Sequence, residues 1–125
     1  MDVGTEAVVL LGHGSRLPSG NQGLYRVATR VAEALAGARV EVAFLQLAEP
    51  GLEEAVERCF AAGARRVAVV PFFLFPGAHV REDIPRALAA LEARHPGLEL
   101  RLAGVLGDHP KLAEVAAERA REAMR

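Results

Sequence analysis

Ala7 to Leu11 is an unbroken apolar run, AVVLL, that stops at Gly12. A run this short, rich in β-branched residues and without alternation, reads as a strand buried on both faces. Such strands belong to parallel sheets, and a parallel sheet needs helices over both faces and a crossover between successive strands. The rest of the chain must therefore supply helices and strands in alternation, and its pattern does so.

HGSRLPSGN follows the first strand and is full of turn residues. From Gly20 to Ala36 the period is helical, with Leu24, Val27, Val31, Ala34 and Leu35 at three- and four-residue spacings, and Gly37 is placed to cap the end. Val40–Leu47 reads as a second strand, closed by Glu49, Pro50 and Gly51; Leu52–Ala62 as a helix ended by Gly63. Val67–Val70, stopped by Pro71, gives a third strand. A helix beginning near Val80 or Asp83 runs to Arg94, with Pro85 tolerable only in its first turn. Leu98–Leu102 alternates and reads as a fourth strand nearer an edge. Pro110–Arg125 reads as a last helix with Asp108 or His109 at its cap. Right-handed crossovers turn this β-α-β-α-β-α-β-α order into a single domain over residues 1–125, a four-stranded parallel sheet between helices.

Composition narrows the function. The chain has 125 residues, 51% apolar and 25% charged, as a globular domain of ordinary size has. A formal net charge of -1 supplies no basic excess for duplex nucleic acid, and the absence of tryptophan leaves a poor base-stacking surface. The first strand is too short for a signal sequence or a membrane span and no basic segment precedes it, so a cytoplasmic location is expected. The one cysteine, Cys59, lies in an apolar helical stretch and is expected to be inert core, in keeping with a reducing compartment.

Ligands of such sheets bind outside the carboxyl ends of the strands, which selects Gly12–Asn21, Gln46–Gly51, Pro71–Val80 and Gly104–Pro110. Nucleotide motifs fail there. The dinucleotide fingerprint requires glycine where Leu17 stands, and a P-loop requires a lysine where none occurs, Lys111 being the only one. Ser15 is outside a Gly-x-Ser-x-Gly elbow. What these loops do hold is imidazole. His13 stands between two glycines directly after the first strand, and His79 follows the apolar stretch FFLFPGA. Either histidine alone could serve structure; together, beside Phe72, Phe73, Leu74 and Phe75, they outline an apolar cleft that holds two imidazoles. Such a pair can bind a borderline divalent metal or move protons near neutral pH, with too few ligands for a closed structural zinc site. Glu49 could add a carboxylate or cap the next helix. His109 is a further candidate or a helix-start residue. Arg16, Arg81 and Lys111 could offer charge to an anionic ligand, and His95, in a turn at the opposite end, is expected to be solvated.

The motifs Leu11-Gly12-His13-Gly14-Ser15-Arg16 with Asn21, Phe44-Leu45-Gln46-Leu47-Ala48-Glu49-Pro50, Val70-Pro71-Phe72-Phe73-Leu74 with Gly77, His79, Val80, Asp83 and Pro85, and Leu106-Gly107 with His109-Pro110 resemble, in order and spacing, the short form of the CbiX-type sirohydrochlorin chelatases. The resemblance covers nearly the whole chain. It implies a three-layer α/β sandwich of chelatase-like (flavodoxin-like) half-domain type. It implies insertion of a divalent metal into sirohydrochlorin without ATP, with the metal as substrate, no organic cofactor, and a homodimer that completes the cavity. Cobalt is the metal expected, for cobalamin biosynthesis; Fe2+, for siroheme, or Ni2+ are the alternatives, as is a carrier that binds metal or tetrapyrrole without inserting. His13 and His79 match the family's two active-site histidines, as metal ligands and catalytic groups. Phe72 and Phe73 are expected against the ring, Arg16 and Arg81 at its carboxylates. Relatives often carry glutamate at the position of Gln46, so one carboxylate is absent and no role passes to Gln46. No nucleic acid or membrane partner is expected.

Overall fold

A computed structural model describes residues 1–2 and 4–125. Among them four strands and four helices alternate: β1 (Glu6–Gly12), α1 (Pro18–Ala34), β2 (Arg39–Phe44), α2 (Leu52–Ala61), β3 (Arg66–Pro71), α3 (Ala78–Arg94), β4 (Glu99–Leu102) and α4 (Pro110–Ala123). The sheet order is β2-β1-β3-β4 and every pairing is parallel, with Val8 opposite Val40 on one side and Ala68 on the other. The parallel α/β architecture expected from the AVVLL run is the one found. No helix among the described residues is long and apolar enough to cross a membrane.

The pleat sends alternate residues to opposite faces. Ala7, Val9 and Leu11 join Val67 and Val69 beneath α2 and α3, in a core with Val56, Cys59, Ile84, Leu88 and Leu91. Val8, Leu10 and Val42 face the other way, against Leu24 and Ala28 of α1. β1 is therefore buried on both sides, which is why its sequence shows no alternation. Fully burying one such aliphatic side chain contributes about 1.5–3 kcal/mol. An exposed ion pair contributes about 0–1 kcal/mol. Apolar burial, and not the Glu6–Arg66–Glu99 bridging at the amino ends of β1, β3 and β4, therefore holds the sheet.

Several boundaries differ from the sequence expectation. α1 starts at Pro18, whose missing N–H costs nothing in a first turn. β2 stops at Phe44, because Leu45, Gln46 and Leu47 turn out of the sheet and Leu47 takes a left-handed φ of 66°. α3 begins at Ala78, so Pro85 falls inside the helix rather than in its first turn. A proline there removes the N–H that the Arg81 carbonyl would accept from. The early start also moves His79 out of a loop and into the first turn of α3.

Candidate active site

β1 delivers His13 to the carboxyl end of the sheet, where β1 and β3 lie side by side. This is where the strand order reverses direction and a crevice opens. The backbone around His13 is fixed by bonds to both neighbours. Leu45 N–H donates to the Gly12 carbonyl at 2.9 Å, Gln46 N–H to the His13 carbonyl at 3.1 Å and Phe72 N–H to the Leu11 carbonyl at 2.7 Å. Gly14 makes the approach possible. Its φ is 94°, and a Cβ there would stand 1.7 Å from the Gln46 carbonyl oxygen. Gln46 thus contributes its main chain to the site, a role independent of which side chain stands there.

Ser15 and Asn21 close the loop on its other side. Ser15 N–H donates to Asn21 Oδ1 at 2.9 Å, and Asn21 Nδ2 donates to the Ser15 carbonyl at 2.8 Å. The Ser15 hydroxyl accepts from Leu17 N–H at 3.0 Å, the local turn that serine commonly makes. Neither residue had a chemical role by sequence reasoning. The signal that could have exposed the clamp is an asparagine six residues beyond a serine, in a stretch otherwise made of turn formers.

The His13 imidazole is exposed and lies over Phe73, ring centroids 4.2 Å apart and tilted by 38°. Two hollows open on either side. One, about 470 Å³, is lined by His13, Ser15, Asn21, Leu24, Phe44 and Phe72. The other, about 480 Å³ and mostly apolar, is lined by Phe73, Leu74, Phe75, Arg81, Ile84 and Leu102. Successive aromatic residues at the end of β3 point to opposite sides, and His13 stands at the divide. Leu45, Leu47, Leu74 and Phe75 add an exposed apolar rim, with Phe75 76% exposed.

The site residues named from sequence are therefore only partly gathered. His13, Phe72 and Phe73 come together. Arg81 shares a hollow with Phe73. His79 and Arg16 are exposed and line neither hollow. Glu49 is exposed. His109 caps α4, its Nδ1 accepting from Lys111 N–H at 3.1 Å, which is the structural use of a helix-start histidine. His95 is not solvated as expected: its Nε2 lies 3.0 Å from Glu57 and its ring 5.0 Å from that of Phe60, tying α3 to α2. Cys59 is wholly buried, and desolvation pushes its thiol up to about 11, as inert core requires. Among the described residues no three His, Cys, Asp or Glu side chains gather into a metal-sized group.

Known proteins are similar to this chain in sequence and in fold. A sirohydrochlorin cobaltochelatase of Methanocaldococcus jannaschii is 42% identical over 90 residues, 72% of this chain and 63% of that protein. A sirohydrochlorin cobaltochelatase of Priestia megaterium is 35% identical over 94% of this chain but 38% of its own length, and a sirohydrochlorin ferrochelatase of the same organism is 32% identical over 94% and 44%. The chain thus spans less than two thirds of these relatives. Among solved structures, a chain from Marinobacter aquaeolei VT8 described as a cobalamin (vitamin B12) biosynthesis CbiX protein superposes with a TM-score of 0.81 at 32% identity, covering 95% of this chain and 97% of that one. The sirohydrochlorin chelatase SirB from Bacillus subtilis subspecies spizizenii, in complex with cobalt, gives 0.82 at 29%, covering 94% of this chain and 50% of SirB. The CbiX family pattern itself matches residues 7–123, nearly everything from β1 to the end of α4, and by that match the chain belongs to the CbiX family.

Proposed function

We propose that this chain inserts a divalent metal into sirohydrochlorin without ATP, with Co2+ as the metal, His13 and His79 as the working side chains, and a cytoplasmic homodimer as the working form. The observation that carries the reading is the placement of His13. An imidazole with no hydrogen-bond partner among the described residues stands over an aromatic ring, between two apolar hollows, on a backbone tied to three neighbours.

The chemistry asks for that combination. Metallation exchanges one M2+ for two pyrrole N–H protons, with no net oxidation or reduction, so no organic cofactor is called for. The ring must be held, the metal must shed water, and the two protons must be accepted. Half-buried Phe72 and the exposed rim of Leu45, Leu47, Leu74 and Phe75 offer apolar surface to a large planar ring, while Phe73, expected against the ring, is buried against His13. Arg16 and Arg81, both exposed, can meet its peripheral carboxylates. Neutral imidazole suits Co2+ and Fe2+ alike, and either ring nitrogen of His13 and His79 can hold the metal or take a proton. Few protein ligands and open positions favour a metal that is passed on rather than kept.

The choice of cobalt is the finer part of the proposal. Iron is the second reading, supported by the ferrochelatase of Priestia megaterium, which is nearly as similar to this chain as that organism's cobaltochelatase. The test is anaerobic incubation of the protein with sirohydrochlorin and Co2+, Fe2+ or Ni2+, alone and in competition, followed by the absorbance of the metallated ring. Faster insertion than in buffer, with cobalt preferred, is expected. His13→Ala and His79→Ala are each expected to lower the rate by about a hundredfold or more. Near-wild-type rates in both variants would remove the histidines from the mechanism. Tight ring or metal binding without acceleration would make the protein a carrier.

A further inference from the structure

His13 and Phe73 meet because the sheet sets them opposite one another. β1 and β3 pair in register from Glu6 beside Arg66 to Leu11 beside Pro71. The Phe72 N–H, donating to the Leu11 carbonyl at 2.7 Å, carries that register past the strand ends. Two residues further on, His13 falls opposite Phe73, in the column that Ala7, Val9 and Leu11 begin on one strand and Val67 and Val69 on the other. The two are therefore cross-strand neighbours on one face, the pairs whose side chains a sheet brings together most closely. Their ring centroids are 4.2 Å apart.

The two partners are held very differently. Phe73 is 4% exposed, packs in the core with Ile84 and Leu88, and its carbonyl accepts from Leu106 N–H at 2.9 Å. His13 has a fixed main chain, but its imidazole is exposed and neither ring nitrogen has a hydrogen-bond partner among the described residues. A working imidazole is ordinarily oriented by a hydrogen bond from one nitrogen to a carbonyl or carboxylate, which leaves only the other nitrogen for chemistry. Here the ring face does the orienting. An imidazole held by its face keeps both nitrogens free, each able to donate or accept. With so little surface open, Phe73 has almost none to offer a bound macrocycle, so its influence on insertion passes through His13.

We propose that Phe73 is the positioning residue of His13, standing in for the hydrogen bond that the imidazole lacks, so that the ring is held in one rotamer before metal or macrocycle arrives. The proposal deepens the chelatase reading and rests on the working role which that reading gives to His13. Holding a reacting group in place in advance lowers the barrier of the step it takes part in, and a misplaced group loses that advantage even where substrate still binds.

The experiment joins nuclear magnetic resonance on the ligand-free protein to insertion kinetics, for wild type, Phe73→Leu and Leu91→Val, each checked for folding by circular dichroism. Leu91 is buried in the same core near the far end of α3 and lines neither hollow, so its substitution is the control for loosened packing. The Hα–Hβ couplings of His13 are expected to report a single χ1 rotamer in wild type and in Leu91→Val, and an average of rotamers in Phe73→Leu. Phe73→Leu is expected to lose about tenfold or more in kcat with KM for sirohydrochlorin within about twofold, and Leu91→Val to keep the wild-type kcat. If the leucine variant is unfolded, Phe73→Met, which also lacks a planar face, carries the same expectations. A His13 rotamer already averaged in wild type, or still single after the aromatic ring is removed, overturns the proposal. So does an unchanged kcat in Phe73→Leu, an equal loss in Leu91→Val, or a loss that falls on KM, which would put Phe73 against the macrocycle. A wild type that shows the single rotamer, loses it in Phe73→Leu and yet inserts no metal refutes the chelatase reading and leaves the positioning of His13 standing.

Discussion

At Gly14 two requirements coincide, a left-handed φ and a carbonyl oxygen where a side chain would be. Gly14→Ala therefore costs at least about 1–2 kcal/mol from backbone conformation alone, before the Gln46 carbonyl has moved. Urea denaturation is expected to show the loss, and metal insertion to fall with it, because the displaced segment is one that fixes His13. Asn21→Ala is a gentler probe. It removes two hydrogen bonds, together worth about 1–3 kcal/mol, from the loop beside His13. The expected signature is a modest drop in melting temperature with a larger drop in kcat than in KM. Cys59 yields a pH prediction. Its thiol is held up to about 11 from an ordinary 9.0. The folded chain thus keeps a proton that the unfolded chain has already lost between those values. Stability from this group is complete below about pH 9 and falls by about 1.4 kcal/mol per pH unit as pH rises toward 11. Alkylation of the native protein at about pH 8 is expected to be negligible.

Among the elements, legibility follows the number of neighbours each residue needs to explain it. β1 can be read from five residues, because burial on both faces leaves a pattern no helix partner can disguise. The helical periods of α1 and α2 are equally plain. β2 reads three residues too long, from Leu45 to Leu47, because Leu45 and Leu47 are apolar for the sake of a site rim and not of a core. The sequence of α3 suggests a late start because Pro85 argues for a first turn there; the helix tolerates it inside and leaves the Arg81 carbonyl without its helical donor. His95 has the surroundings of a solvated turn residue, but its partners Glu57 and Phe60 lie about a third of the chain away in sequence, where no local pattern can announce them. The clamp on Ser15 is less hidden, since Asn21 is close by. α4 is legible as a helix, with His109 at its cap.

For the whole molecule, the sequence implies two histidines on one cleft, and a single chain provides one histidine at the divide of two hollows with the other on an exposed helix turn. A hundredfold rate loss in both single histidine variants would place both imidazoles in one working site, and would fit the proposed cavity completed by a second chain. Ionic strength offers a complementary check. If exposed Arg16 and Arg81 meet the carboxylates of the ring, raising salt from low to about 0.5 M is expected to raise KM several-fold and leave kcat nearly constant, since screening weakens exposed charge pairs most. An unchanged KM would remove the arginines from substrate binding.

The backbone bonds that lash the loops together have a mechanical consequence. Leu45, Gln46, Phe72 and Leu106 each donate to a carbonyl on a neighbouring segment, at the end of β1 or just beyond a strand, to Gly12, His13, Leu11 and Phe73 in turn. The ladder of the sheet is thereby prolonged past the ends of the strands, and the floor on which His13 stands behaves as a continuation of the sheet rather than as four separate loops. Amide exchange at these four positions should be slow, comparable to the strands. Any compliance needed to admit and release a ligand must then come from the ligand, from side chains, or, in the proposed homodimer, from the way two chains meet.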